Sequence, residues 1–223
     1  SLRLITGTPF NKAFYMDLLS LMYDIFDKSR KQGVMSIEED VDNPEQSQIF
    51  SRYPAVMKSK HLTAFITDYL RIISAGNMAP HELEGLMDQE LDTRQHELEE
   101  PAHALNKIAD ALPGLGIVAA VLGIVITMNF MTEGPEKIGL SVAAALVGTF
   151  LGIFLGYGFV GPASIALEHN AKYELKAYEC AKAAILATVS GQAPQMAIEF
   201  GRKALPSDKR PDFQELNDHV RSK

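Results

Sequence analysis

The chain has 223 residues, a formal net charge of −7 and a hydrophobic content of 47%. An acidic chain without a basic stripe disfavours nucleic acid as a partner. The single cysteine, Cys180, excludes an internal disulfide framework and fits a reducing compartment; a small residue on an amphipathic helix is favoured over a reactive thiol. Apolar residues are concentrated in one stretch, and the charged residues lie on either side of it.

The segment before the apolar stretch is predicted to be helical. Its first helix runs from Asn11 to Arg30, because apolar side chains recur there at helical spacing, and Gly33 ends it. Ser36 followed by Glu39 predicts a capping box at the start of a short helix.

Asn43 before Pro44 predicts a cap followed by proline at the first helical position. Further helices are predicted from Lys58 to Ser74 and from Pro80 to Leu112. Pro101 should kink the second of these, which continues directly into the apolar stretch.

Two uncharged segments predict a membrane hairpin. Residues 111–132 and residues 138–167 contain no Asp, Glu, Lys, Arg or His. A helix of about 20 residues crosses a hydrocarbon core of about 30 Å, so both segments are long enough. The alternative is a pair of core helices in a soluble domain. A polar turn at residues 133–137 makes the spans antiparallel, and the basic residues outside it place both flanks in the cytoplasm.

Small residues recur along both spans. Ala144, Gly148, Gly152 and Gly156 follow one another every four residues in the second span, and the first span contains a similar set. Because lipid supplies no hydrophobic drive between helices, such a face allows another helix to approach closely. One hairpin would leave part of this small-residue surface facing lipid, so we predict a homo-oligomer.

Thr127 and Thr149 are the polar side chains of interest within the spans. Each hydroxyl could bond back to its own helix, or it could line an ion path. A proton relay in a membrane normally uses an ionisable side chain. Since neither span has one, an ion path here needs a titrating group from another chain or segment.

The region after the second span is predicted to continue as helix to about Ser190, with further helices starting near Pro194 and Pro211. His96, Glu100 and His103 would share a helix face, but a tetrahedral metal set is not evident, so no metal site is predicted. There is no nucleotide-binding loop, nucleophile elbow or cysteine pair, and no enzyme is predicted.

Several stretches resemble the MotA/TolQ/ExbB proton channel family, in particular its flagellar stator branch. They are ADALPGLGIVAAVLGIVITM, ALVGTFLGIFLGYGFVGP, KAFYMDLLSLMYDIFDKSR, IEEDVDNPEQSQIF and IEFGRKALPSDKRPDFQELNDHV. The resemblance covers essentially the whole chain. TolQ and ExbB share the membrane pattern but not the other stretches, and an energy-transducing channel of their type is the alternative.

The resemblance implies an all-α integral membrane protein of the bacterial inner membrane. Such subunits have four membrane helices; residue 1 falls just after where the second would end, so the chain is expected to be a fragment with the last two. The family pattern implies a cytoplasmic helical region at 1–110, the hairpin at 111–167 and a cytoplasmic tail at 168–223. Five copies are expected to ring two copies of MotB.

The resemblance also implies roles for particular residues. The MotB helix would bring an aspartate that binds the transported ion, which the sequence around Thr149 suggests is a proton; no other cofactor is implied. Thr149 matches a pore-lining threonine. The expected channel and coupling residues are Pro113, Thr149, Tyr157 and Pro162.

Torque would pass to the rotor protein FliG through surface charges. The residues that match the family's rotor contacts are Arg30, Glu38 and Glu90. Taken alone, each would be interpreted as a solvated surface charge, since exposed ion pairs contribute only about 0–1 kcal/mol. A structural membrane scaffold without ion flow is the alternative from another functional class.

Overall fold

The computed structural model describes residues 8–76 and 78–221, and within these ranges it contains helices and turns but no strand. The all-α prediction is confirmed. The α-helices of this described part are α1 (Lys12–Gln32), α2 (Glu38–Asp42), α3 (Pro54–Met57), α4 (Lys60–Ala75), α5 (Pro80–Thr127), α6 (Pro135–Leu155), α7 (Gly161–Val189), α8 (Pro194–Ala204) and α9 (Phe213–Arg221), and short 3-10 helices occur at Val34–Ile37, Phe50–Arg52 and Met128–Phe130.

The contacts divide the chain into two units. Residues 96–171 form one, here called the hairpin unit. The described residues of 7–95 and 172–223 form the other, here called the compact unit.

The compact unit is built around a conventional hydrophobic core. Apolar side chains of α1, α4 and α7 are buried together there, including Leu18, Met22, Ile25, Leu62, Phe65, Ala181 and Ile185. The Oδ1 atom of Asn11 accepts a hydrogen bond of 2.9 Å from the backbone N–H of Phe14. This cap is worth about 1 kcal/mol and fixes the start of α1 close to the predicted position.

The helix ends after α1 differ from the predicted ones. Glu38 begins α2 without a side-chain cap, because the Ser36 hydroxyl donates instead to the carbonyls of Gly33 and Lys28. The capping-box prediction is therefore wrong. The prediction of a helix at Asn43-Pro44 is also wrong, since the Asn43 carbonyl closes a turn by accepting from the backbone N–H groups of Gln46 and Ser47.

The hairpin unit contains the apolar end of α5, the turn and α6. The helical segments that include these stretches are long and apolar enough to cross a membrane, and only 17% and 11% of their most apolar windows are buried. Core helices of a soluble domain would be mostly buried, so this exposure argues against that alternative. Lipid or other protein must cover side chains such as Leu115, Leu140 and Phe150, each 62–69% exposed.

One feature of the hairpin unit was not predicted. Between α6 and α7 the helix widens into a single π-helical turn at Gly156–Val160, where the Gly161 N–H donates to the Gly156 carbonyl. Helix α5 continues through Pro101 and Pro113. The kink expected at Pro101 stays a prediction.

Cys180 is fully buried in the core of the compact unit, where α8 comes close to α7. A Cβ atom on Gly201 would lie 2.8 Å from the Cys180 carbonyl oxygen and 3.2 Å from its sulfur. Burial raises the pKa of the Cys180 thiol well above its usual range. The thiol therefore stays protonated at neutral pH and unreactive, as expected for a packing residue.

We expect Cys180 to resist a maleimide at neutral pH in the folded protein and to react fully after denaturation, as mass spectrometry can measure. A Ser190→Cys variant is the positive control, because Ser190 is exposed at the end of α7. Rapid native labelling of Cys180 itself would contradict the packing assignment.

Candidate functional site

Backbone-to-backbone contact joins α5 and α6 in the hairpin unit. A Cβ atom on Gly152 would lie 2.5 Å from the Leu112 carbonyl oxygen, and one on Gly116 would lie 2.8 Å from the Gly148 carbonyl oxygen. Nearer the turn, a Cβ atom on Gly123 would lie 2.5 Å from the Cβ and 3.1 Å from the Cα of Ala145. Contacts this short leave no room for any side chain, so glycine is required at the crossing.

This contact changes the interpretation of the small residues. Gly148 and Gly152 pack against α5 of the same hairpin, so they do not form a surface that awaits a second subunit. Ala144 of the same set is exposed, so part of the small-residue surface is left open and the homo-oligomer stays a prediction. What remains for neighbouring chains to cover is the exposed apolar surface of the hairpin.

The two threonines behave differently. The Thr127 hydroxyl donates to the Gly123 carbonyl of its own helix at 2.8 Å. The Thr149 hydroxyl instead reaches across to the Gly116 carbonyl of α5, at 3.3 Å. Thr149 thus belongs to the contact between the helices, and its oxygen keeps lone pairs that can accept a hydrogen bond.

Pro113 lies against the start of the π-helical turn. Because proline has no N–H, the Ala109 carbonyl lacks its usual helical donor. A Cβ atom on Gly156 would lie 2.8 Å from that carbonyl oxygen and 3.2 Å from the Pro113 ring. Glycine therefore lets the second span approach the carbonyl that lacks its usual helical donor.

Pro162 has a related effect at the other end of the turn. It cannot donate to the Gly158 carbonyl, and the Gly161 N–H bonds to Gly156 rather than to the Tyr157 carbonyl. Two successive carbonyls thus lack their α-helical donors. Helices bend most easily where the regular series of backbone hydrogen bonds is interrupted. The Tyr157 side chain is 63% exposed at this point.

The structure groups the seven predicted residues in three places. Pro113, Thr149, Tyr157 and Pro162 all belong to the hairpin unit. Arg30 and Glu38 are exposed at the two sides of the turn between α1 and α2. Glu90 is also exposed, but it is on α5, where its carboxylate accepts a hydrogen bond of 2.7 Å from the Tyr69 hydroxyl.

Arg30 and Glu38 make no ion pair with any described residue, although neighbouring charges do. Lys28 pairs with the buried Asp40 at 2.7 Å, and Asp40 also accepts from the Ser47 hydroxyl at 2.6 Å. This network holds the turn in place. Sequence analysis missed it because no local pattern distinguishes a buried aspartate from an exposed one.

We expect Gly152→Ala to destabilise the hairpin, because its methyl group would overlap a backbone oxygen that cannot move alone. Overpacking of this kind costs about 1–3 kcal/mol. Gly139→Ala in the same helix is the matched control, since nothing lies within 4 Å of that position. Thermal unfolding of the full-length protein in detergent measures both, and equal midpoints would contradict the close contact.

Comparisons with known proteins identify relatives that are membrane channel and motility proteins. The model of the MotA/TolQ/ExbB proton channel family matches residues 57–180. Motility protein A of Salmonella typhimurium is 44% identical over 219 residues, which are 98% of this chain and 74% of that protein. Motility protein A of Escherichia coli is 43% identical over the same shares. Chemotaxis protein LafT of Vibrio parahaemolyticus is 42% identical over 95% of this chain and 74% of its own length.

Solved structures show the same fold. The C. jejuni MotAB structure matches with a TM-score of 0.75 at 17% identity, over 95% of this chain and 74% of that one. The Bacillus subtilis flagellar MotAB stator complex matches with a TM-score of 0.68 at 22% identity, over 86% of this chain and 68% of that one. The chain belongs to the MotA/TolQ/ExbB proton channel family, among its flagellar motility proteins.

Proposed function

We propose that this chain is the channel-wall subunit of a flagellar motor stator. Together with MotB it forms a proton channel, and ion flow through the channel drives rotation of the flagellar rotor for motility and chemotaxis. The observation that carries this proposal is a pair of membrane spans without Asp, Glu, Lys, Arg or His, in a chain 44% identical to a motility protein A. The family is one of channels and not of enzymes.

The missing titratable group explains the need for a partner. A proton crossing a membrane normally needs an ionisable side chain to bind it, and the two spans contain no Asp, Glu, Lys, Arg or His. A MotB helix with an aspartate would supply that group. The Thr149 hydroxyl donates a hydrogen bond to the Gly116 carbonyl. Its oxygen is therefore oriented as an acceptor, which suits a protonated carboxyl or a hydrated proton beside the wall.

The exposed apolar surface of the hairpin fits a ring of several copies in the inner membrane. Five copies around two MotB helices would cover the sides of each hairpin that its own packing leaves open. The turn contains one basic residue, Lys137, and the flanks contain the other 20 of the chain's 21. The positive-inside rule then places the compact unit in the cytoplasm.

Rotor contact is proposed for the surface charges of the compact unit. Arg30 and Glu38 are exposed and unpaired among the described residues, so no internal ion pair has to break before they engage the rotor protein FliG. Glu90 is a further candidate, although its bond to Tyr69 also gives it a structural role. A TolQ- or ExbB-type energy transducer is the alternative, and the motility and chemotaxis relatives disfavour it.

We expect Arg30→Glu in the full-length protein to reduce motor torque severalfold, and Arg30→Glu with Glu38→Lys to reduce it further, because attraction to the rotor becomes repulsion. Torque can be measured from the rotation of a bead on the flagellum. Lys203→Glu is the control, since it reverses an exposed charge on α8. Normal torque in the double variant would remove these residues from the rotor contact.

We expect Thr149→Val to lower proton conductance at least tenfold, because the wall loses its oriented acceptor while its shape is kept. Conductance is measured on the complex with MotB in its open, conducting form, in sodium-free medium. Thr127→Val is the matched control, since it loses only a bond within its own helix. Unchanged conductance in Thr149→Val would favour a scaffold role, and conductance that requires sodium would contradict the proton assignment.

A further inference from the structure

The turn between α1 and α2 exposes apolar side chains between its charges. Val34 is 41% exposed and Met35 is 64% exposed, and in the sequence they lie between the basic pair Arg30 and Lys31 and the acidic pair Glu38 and Glu39. Among the described residues of the compact unit, no other large hydrophobic side chain is as exposed as Met35. Single exposed hydrophobic residues are ordinary, but two adjacent ones between opposite charges form a patch.

The turn holds Met35 in a defined position. Gly33 has a φ of +90°, which only glycine adopts without strain, and it turns the chain away from α1. The Ser36 hydroxyl donates to the Gly33 carbonyl at 2.6 Å. The next residue, Ile37, is 2% exposed and anchors the turn in the core.

The charges around the patch are separated by sign. Arg30 and Lys31 lie in the last turn of α1, and Glu38 and Glu39 lie in the first turn of α2. Lys31 pairs with Asp27 at 2.7 Å, whereas Arg30, Glu38 and Glu39 have no ion pair among the described residues. The surface is therefore basic on one side, apolar at the centre and acidic on the other side.

We propose that Met35, with Val34 beside it, is an apolar anchor of the rotor contact. This inference rests on the proposed function, and it adds a contact to a site otherwise described only by charges. The partner surface it fits has an acidic group opposite Arg30, a basic group opposite Glu38 and an apolar depression between them. Exposed ion pairs alone contribute about 0–1 kcal/mol each and set orientation more than affinity.

Methionine suits a partner that moves past it. Its unbranched side chain has three rotatable bonds and a polarisable sulfur, so it can pack into successive surfaces of different shape. A branched or aromatic side chain would favour one register and slow release. The anchor would thus hold the rotor between steps without fixing it in one position.

The test is binding of the purified full-length stator complex to the isolated rotor protein FliG at about 0.1 M and about 1 M salt. The Debye length falls from about 10 Å to about 3 Å over this range, so charge contacts weaken while apolar contacts remain. We expect Met35→Gln to weaken binding about tenfold at both salt concentrations, which corresponds to burial of a large part of a methionine side chain. Met35→Leu should restore binding to within about threefold of wild type.

Two controls separate the anchor from the charges. Met196→Gln removes another exposed methionine, on α8 and 49% exposed, and should leave binding unchanged. Arg30→Glu should weaken binding strongly at low salt and much less at high salt. If the Met35→Gln variant binds like wild type while the Arg30→Glu variant binds weakly, the anchor is overturned and the proposed function is intact. No binding by the wild-type complex, or no effect of Arg30→Glu, would overturn the rotor contact itself.

Discussion

The direct contact of two helix backbones in the hairpin is the constraint on which the rest of the membrane segment depends. Lipid gives no hydrophobic drive for helices to associate, so their contact must come from close packing. Gly116 and Gly152 supply it, because each lies where a side chain would overlap a backbone oxygen of the other helix. The same closeness brings the Thr149 hydroxyl within reach of the opposite carbonyl. The Thr149 hydroxyl is thus oriented by residues that have no polar side chain.

The two prolines act on the same part of the hairpin through the hydrogen bonds they remove. Pro113 leaves the Ala109 carbonyl without a helical donor, and Gly156 packs directly against that carbonyl. Pro162 leaves carbonyls of the π-helical turn without theirs. Unbonded carbonyls are costly in lipid, so such a segment persists only where protein or water satisfies it. The segment from Gly156 to Pro162 is therefore the place where the second span can bend at least cost.

Much of this could be predicted from the sequence, because the strongest signals are long and periodic. The uncharged segments, the apolar faces of α1 and α4 and the proline at the start of α8 each gave the correct element. The errors concern which of several satisfied arrangements the chain adopts. Ser36 could cap a helix or bond backward to Gly33, and Thr149 could bond within its helix or across it. Such choices depend on tertiary distances that no sequence pattern contains. The small residues were recognised correctly, and Gly148 and Gly152 among them pack within the same hairpin.

The charges at the turn between α1 and α2 have one physical cause that does not depend on function. Basic residues at the end of one helix and acidic residues at the start of the next are each favoured by the helix dipoles, whatever the protein does. That preference explains why the signs are separated, but it does not explain why Arg30 has no ion pair within residues 8–76 and 78–221 while Lys28, two residues earlier, pairs with Asp40. The fold pairs Lys28 with Asp40, which holds the turn, and leaves Arg30 exposed. The residue that fixes this surface is therefore a different one from the residue that is free to contact a partner.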